Sequence, residues 1–165
     1  MSGMEIERKF LVKHAFDFRS SATHCYHIMQ GYIPADGATV RIRIRDEEAF
    51  LTIKSRSADG GLSRYEFEQP ISPKDAVQLL KLCRGGFIDK HRYLIPIDNH
   101  LFEVDEFHGL NEGLVVAEVE LGAIDEKFPH PDFLGMEVTH DKRFRNSRLI
   151  SEPFCTWKDP LPTDN

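Results

Sequence analysis

Glu5, Glu7 and Lys9 stand at alternate positions in the run Glu5-Ile6-Glu7-Arg8-Lys9. Alternate side chains of a β-strand project from one face, so this spacing gathers two carboxylates and an ammonium on a single surface. The alternation returns with basic residues at Arg41 and Arg43, Lys54 and Arg56, and Lys90 and Arg92. It returns with acidic ones at Glu103 and Asp105 and at Glu118 and Glu120. The pairs Glu5 with Glu7 and Glu118 with Glu120 suit Mg2+ or Mn2+, hard cations that take carboxylate oxygens. Arginine forks grip phosphate oxygens at two points, and lysines act as compact point charges. Six basic groups exceed the needs of one monophosphate and match a compact triphosphate or a nucleoside triphosphate, provided their strands converge. Any one such pair is also what a solvated strand face or a salt-bridge network displays, so the argument rests on their number.

Other chemistries find little support. There is no G-x-x-x-x-G-K-[ST] loop, so an anion would be held by side chains. The eight histidines form neither H-E-x-x-H nor a short Cys/His ligand spacing. No G-x-S-x-G elbow occurs, and Cys25 near His27 has no supporting constellation. Cys25, Cys83 and Cys155 are too scattered for a disulfide framework. With 21 Lys and Arg against 27 Asp and Glu, the net charge of -6 disfavours binding to extended nucleic acid. The chain starts straight into charged residues, and no stretch approaches the roughly 18 apolar residues of a membrane span. A cytoplasmic protein is the expectation.

These side chains must be positioned by strands. Glu5–Val12, Cys25–Ile33, Thr39–Arg45, Ala49–Ser57 and Ser63–Gln69 read as strands, with turns at Pro34-Ala35-Asp36-Gly37, Asp46-Glu47-Glu48 and Asp59-Gly60-Gly61. Arg64 shares a face with Glu66 and Glu68. The period then changes. Ser72 caps a helix running from Pro73 to Cys83, with Ala76, Leu79, Leu80 and Cys83 as its apolar stripe and Gly85-Gly86 as its stop. Strands resume at Phe87–Ile97, Leu101–Phe107 and Leu114–Leu121. A short helix near Pro131–Leu134 and an extended piece at Met136–Thr139 follow. Pro153, Pro160 and Pro162 make the C-terminus irregular. The 165 residues suit a single domain, 1–165, with a C-terminal extension from about 150. Many short strands with hairpin-sized gaps favour an antiparallel barrel or sandwich. The charged faces select the barrel, because a sandwich packs its inner faces dry whereas a barrel can enclose a hydrated channel.

The ordered charged pairs resemble the CYTH superfamily, the triphosphate tunnel metalloenzymes. Glu5-Ile6-Glu7-Arg8-Lys9 matches its E-x-E-x-K signature. The likeness continues through Gln30-Gly31-Tyr32, Arg41-Ile42-Arg43, Lys54, Glu66-Phe67-Glu68, Lys90, Arg92, Asp105 and Glu118-Val119-Glu120, then Glu137-Val138-Thr139, Asp141, Arg143, Asn146 and Leu149. Phe144 departs from it, standing where tyrosine is frequent. The resemblance implies a mainly β, α+β fold: a closed eight-stranded antiparallel barrel forming a charged tunnel, with helices packed outside. It implies metal roles for Glu5, Glu7, Glu118 and Glu120, and supporting roles for Glu66, Glu68, Glu103 and Asp105, which orient water or basic side chains. Lys9, Arg41, Arg43, Lys54, Arg56, Lys90, Arg92 and Arg143 would contact phosphoryl oxygens. The chain most resembles short bacterial members that look like inorganic triphosphatases. The expected activity is hydrolysis of tripolyphosphate to pyrophosphate and phosphate with Mg2+ or Mn2+, with Glu5, Glu7, Lys9, Glu118 and Glu120 at the catalytic centre. Adenylate cyclase, thiamine or nucleoside triphosphatase and noncatalytic triphosphate binding are the alternatives. A homodimer is compatible with the exposed barrel surface, and no membrane partner is expected.

Overall fold

The computed structural model describes residues 2–57, 63–159 and 161. The strands are β1 (Ser2–Val12), β2 (His24–Ile33), β3 (Ala38–Arg45), β4 (Glu48–Ser55), β5 (Ser63–Ile71), β6 (Ile88–Ile97), β7 (His100–Phe107), β8 (Val115–Leu121) and β9 (Leu134–Glu137). The helices are α1 (Pro73–Leu80) and α2 (Asn146–Ser151). All strand pairs are antiparallel, in the order β5-β4-β3-β2-β6-β7-β8-β1-β9, and a further pairing of β1 with β5 closes the first eight strands into a barrel.

The closing strand is shared. β1 pairs with β5 from Ser2 opposite Phe67 to Ile6 opposite Ser63. It pairs with β8 from Ile6 opposite Leu121 to Leu11 opposite Val116. β5 then departs, and β9 occupies the vacated edge with Glu137 opposite Phe10 and Leu134 opposite Val12. This edge needs an extended segment, which explains why Pro131–Leu134 is not the expected helix. It is a turn in which the Leu134 N–H donates to the Pro131 carbonyl at 3.0 Å before β9 begins.

Alternation determines what each face buries. On β3, Ile42 points outward and meets Ala49 and Ala76, flanked by Leu79 and Leu80, so α1 covers this side of the barrel. The Ser72 hydroxyl accepts the Asp75 N–H at 3.0 Å and Pro73 opens α1, as the cap pattern predicts. The helix ends at Leu80 rather than Cys83. There the Lys81, Leu82 and Cys83 amides turn back to the Gln78, Leu79 and Leu80 carbonyls, tightening the exit before Gly85 at φ +84°. Gly31 makes this docking possible, because a Cβ there would lie 2.9 Å from Cys83 Sγ.

On the far side, Phe10, Phe102, Val104, Ala117 and Val119 face outward beneath Phe18, Phe128 and Phe133. A third cluster lies within the barrel wall. Leu11, Ile88, Phe107 and Val116 share strand faces with Lys9, Lys90, Asp105 and Glu118, and they pack with Phe144 and Leu149 from the segment leading into α2. The barrel interior is therefore apolar on the flank beneath α2 and charged elsewhere. Buried Asn111 fastens that segment, donating to the Leu149 carbonyl at 3.2 Å and accepting the Phe154 N–H at 2.8 Å. The residue spacing over Asn146–Ser151 predicts no helix, and α2 is found there. The Asp59-Gly60-Gly61 reversal, Pro160 and Pro162 lie outside the described residues. No helix among the described residues is long and apolar enough to cross a membrane.

Candidate active site

Inward-facing side chains surround a cavity of about 970 Å3, whose lining reaches Asn99–Leu101 at one barrel end and Gly37–Thr39 at the other. Among the described residues, eleven lysines and arginines and nine carboxylates line it. That concentrates positive charge inside a chain whose net charge is -6. Low-dielectric walls focus such a field on a bound anion.

The strands bring the predicted pairs together. Glu118 on β8 sits opposite Lys9 on β1 and Glu103 on β7. Lys9 Nζ lies 2.8 Å from Glu118 Oε1 and donates to the Phe144 carbonyl at 3.3 Å. Lys54 on β4 reaches Glu5 at 2.7 Å and Glu66 at 2.5 Å. Arg41 donates to the Thr52 hydroxyl at 3.1 Å, and Thr52 in turn donates to Glu68 at 2.7 Å. Arg92 grips Asp105 with Nε and Nη2, both at 2.7 Å, and also meets Glu103 and Glu118. Lys90 Nζ donates to Asp105 at 2.6 Å and to Asn146 Oδ1 at 3.0 Å. Asp105, only 1% exposed, stands behind the cavity lining and holds Lys90 and Arg92 from beneath.

Electrostatics follow from this crowding. Burial opposes the charge on Glu118, but Lys9, Arg92 and Lys90 outweigh it and hold the carboxyl well below its usual range. Burial pushes the Lys90 ammonium down to about 7, assisted by neighbouring Arg92 and Arg43; Asp105 opposes the shift but already shares its charge with Arg92. Burial also lowers Arg43 to about 10, with Arg41 and Arg92 adding repulsion. Arg43 is the one member of the predicted basic set without a carboxylate in salt-bridge range among the described residues.

The carboxylates divide in the same way. Glu5 is held by Lys54 and by Arg64 at 3.3 Å. Among the described residues Glu7 has one ion pair, with Arg64 at 3.9 Å. Glu120 lies directly opposite Glu7 on the β1 and β8 ladder and has no cationic partner in contact among the described residues. Burial and the charges of Glu5, Glu103 and Glu66 push its carboxyl upward. Like charges placed opposite each other cost stability unless a cation intervenes, so the Glu7 and Glu120 pair fits a divalent ion. Among the described residues no three histidine, cysteine or carboxylate side chains already converge to enclose one. Mg2+ does not require such a cage, because it binds through one or two carboxylates together with water and substrate phosphate oxygens.

Of the expected phosphate contacts, Arg143 lies outside the cavity lining and Arg56 stands at its rim. Arg143 is turned onto Asp141 at 2.7 Å and over the Trp157 ring at 4.9 Å, outside the cavity lining, because the buried Phe144 beside it fixes the local turn. Arg145, two residues later, lines the cavity instead. Arg56 lies at the rim with its side chain 78% exposed, 3.2 Å from Asp36. Arg45, Arg64, Lys142, Arg145 and Tyr32, which are not among the site residues expected from sequence, all line the cavity. Alternation was the available signal for Arg45, after Arg43, and for Arg64, before Glu66. Nothing in the local spacing marked Arg145.

The profile of the CYTH domain matches residues 3–148. An inorganic triphosphatase of Acetivibrio thermocellus is 40% identical over 159 residues, covering 95% of this chain and 99% of that protein. An inorganic triphosphatase of Nitrosomonas europaea is 39% identical over 150 residues, covering 88% and 95%. A crystal structure of an inorganic triphosphatase superposes with a TM-score of 0.63 at 34% identity, covering 88% of this chain and 93% of that one.

Proposed function

The chain belongs to the CYTH domain family, and from this premise we propose that it hydrolyses inorganic tripolyphosphate to pyrophosphate and phosphate with Mg2+ or Mn2+. One observation carries the reading: among the described residues the same cavity holds a guanidinium with no carboxylate in salt-bridge range, Arg43, and a facing carboxylate pair, Glu7 and Glu120, whose one ion-pair cation is Arg64 at 3.9 Å from Glu7. A metal-bound triphosphate supplies both missing partners. The similarity to two inorganic triphosphatases over nearly their whole lengths supports the substrate class.

Arg43 binds phosphoryl oxygens through its terminal nitrogens, since among the described residues its one side-chain hydrogen bond is from Nε to Gln30 at 3.2 Å. Arg41, Arg92 and Lys90 present charge from walls that are already fixed by Thr52, Glu68 and Asp105, so little reorganisation is needed as negative charge shifts along the substrate. Lys9, raised above its ordinary range by Glu118 and Glu7 despite burial, remains an ammonium at neutral pH. It acts as a fixed donor to phosphate oxygen. Glu7 and Glu120 would hold the divalent ion, with Glu5 and Glu103 nearby. When bound, that ion would neutralise phosphate oxygens and activate water. Hydrolysis on this plan needs no covalent protein intermediate.

The test is a matched assay of the purified protein with Mg2+ and Mn2+ on tripolyphosphate, thiamine triphosphate, ATP and pyrophosphate. Equal release of pyrophosphate and phosphate from tripolyphosphate, at higher catalytic efficiency than from the other compounds, is expected. Cyclic AMP from ATP, or preferential cleavage of thiamine triphosphate, would replace this substrate with another.

A further inference from the structure

Gln30 is completely buried on β2, behind the cavity lining, where its side chain joins Arg43 to Tyr32. The three groups form a chain whose hydrogen-bond directions are determined. A guanidinium only donates. Arg43 Nε, at 3.2 Å, therefore requires the Gln30 oxygen on its side and fixes the amide orientation. The Gln30 NH2 is left facing Tyr32, where it donates to the phenolic oxygen at 2.8 Å.

The direction of the Tyr32 proton follows. The hydroxyl accepts from Gln30 and must send its own proton elsewhere. The charged groups acting on the ring are Arg41, Arg43 and Lys9, all donors that offer no acceptor. Tyr32 lines the cavity, and among the described residues the one hydrogen bond to its hydroxyl is that from the Gln30 amide. We propose that Gln30 is a positioning residue which sets the polarity of Tyr32, so that the hydroxyl donates its proton to a phosphoryl oxygen of bound tripolyphosphate. This inference rests on the tripolyphosphatase reading. It adds a neutral donor to a site otherwise built from charges, and its supporting residue touches no substrate.

Gln30→Glu tests the direction of the bond. The carboxylate keeps the shape and the Arg43 partner but can only accept from Tyr32, which turns the proton away from the cavity. With tripolyphosphate, Gln30→Glu is expected to lower kcat by about 10²-fold, as Tyr32→Phe does, with a smaller change in KM. The double variant is expected to be no slower than Tyr32→Phe alone. Ultraviolet titration gives a readout independent of turnover: Gln30→Glu should remove one tyrosine from the set that ionises at high pH.

Full kcat in Gln30→Glu beside an impaired Tyr32→Phe would overturn the proposal. So would losses that simply multiply in the double variant, or an unchanged tyrosinate titration. Full kcat in Tyr32→Phe would overturn it too, while leaving tripolyphosphate hydrolysis by the unaltered protein intact. If Gln30→Glu fails to fold, Gln30→Met takes its place. It should slow the native protein while having no effect in the Tyr32→Phe background, and an equal loss in both backgrounds sinks the idea. Absence of tripolyphosphate hydrolysis in the unaltered protein would instead reject the reading beneath it.

Discussion

Glu7 on β1 and Glu120 on β8 are direct partners across an antiparallel ladder, two carboxylates meeting where a sheet ordinarily places opposite charges or apolar pairs. Removing one charge should therefore have opposite effects on stability and on activity.

Glu120→Gln is expected to raise the melting temperature in metal-free buffer, from relief of repulsion worth a few tenths of a kcal/mol to about 1 kcal/mol. It should also weaken Mg2+ activation of tripolyphosphate hydrolysis at least tenfold. Calorimetry with chelator and a Mg2+ titration of the rate check the two halves. An unchanged metal requirement would remove Glu120 from the ion site.

Glu118→Gln should behave differently, because Glu118 is already paired with Lys9 at 2.8 Å and Arg92 at 3.3 Å. Its loss leaves buried cations without compensation and should cost about 3 kcal/mol in urea denaturation, with or without metal. A variant as stable as the parent would show that Glu118 contributes through bound metal rather than through this network.

Lys90 sets a pH dependence. Its ammonium is pushed down to about 7 in the folded protein, against about 10.4 in an unfolded chain. Between those values the unfolded chain holds a proton that the folded protein has released. The Lys90 contribution therefore makes stability rise with pH across this window, and protonation on going down through about 7 removes the difference in slope. Lys90→Met should flatten the rise between pH 7 and 10, measured by denaturation at fixed ionic strength. Parallel profiles for the two proteins would contradict the shift.

Arg43→Ala and Arg143→Ala separate a cavity arginine from a surface one. Arg43→Ala should raise KM for tripolyphosphate about tenfold or more with little loss of stability, since it removes a buried cation that has no carboxylate in salt-bridge range among the described residues. Arg143→Ala should leave KM unchanged, because its guanidinium is committed to Asp141 and Trp157. Equal effects on KM would place both side chains on the substrate.

The sequence revealed the barrel because a charged interior imposes strict alternation: Arg41, Arg43, Lys54, Glu118 and Glu120 could share a cavity only by facing inward from neighbouring strands. Spacing could not show that Arg143 stands outside the cavity lining, because the turn at Lys142–Phe144 follows no strand period. The helix α2, six residues long, was too short to leave a periodic signature and is held by Asn111 and by the inward face of Phe107 and Ile88. Gln30 was visible as part of a motif, but its partnership with Arg43 depends on β2 and β3 register, a pairing between strands that one chain segment does not encode.

The sharing of β1 among three partners also constrains how the molecule comes into being. β1 leaves the ribosome ahead of all three partners: β5 follows only after residue 63 and β8 only after residue 115, and the final edge arrives with Leu134. Contacts so distant in sequence carry a large loop-closure entropy and form slowly. Glu7 and Lys9 are thus synthesised early and locked late. Ring closure and assembly of the catalytic pocket become one event, so a nascent chain halted before β8 has neither the barrel nor the chemistry.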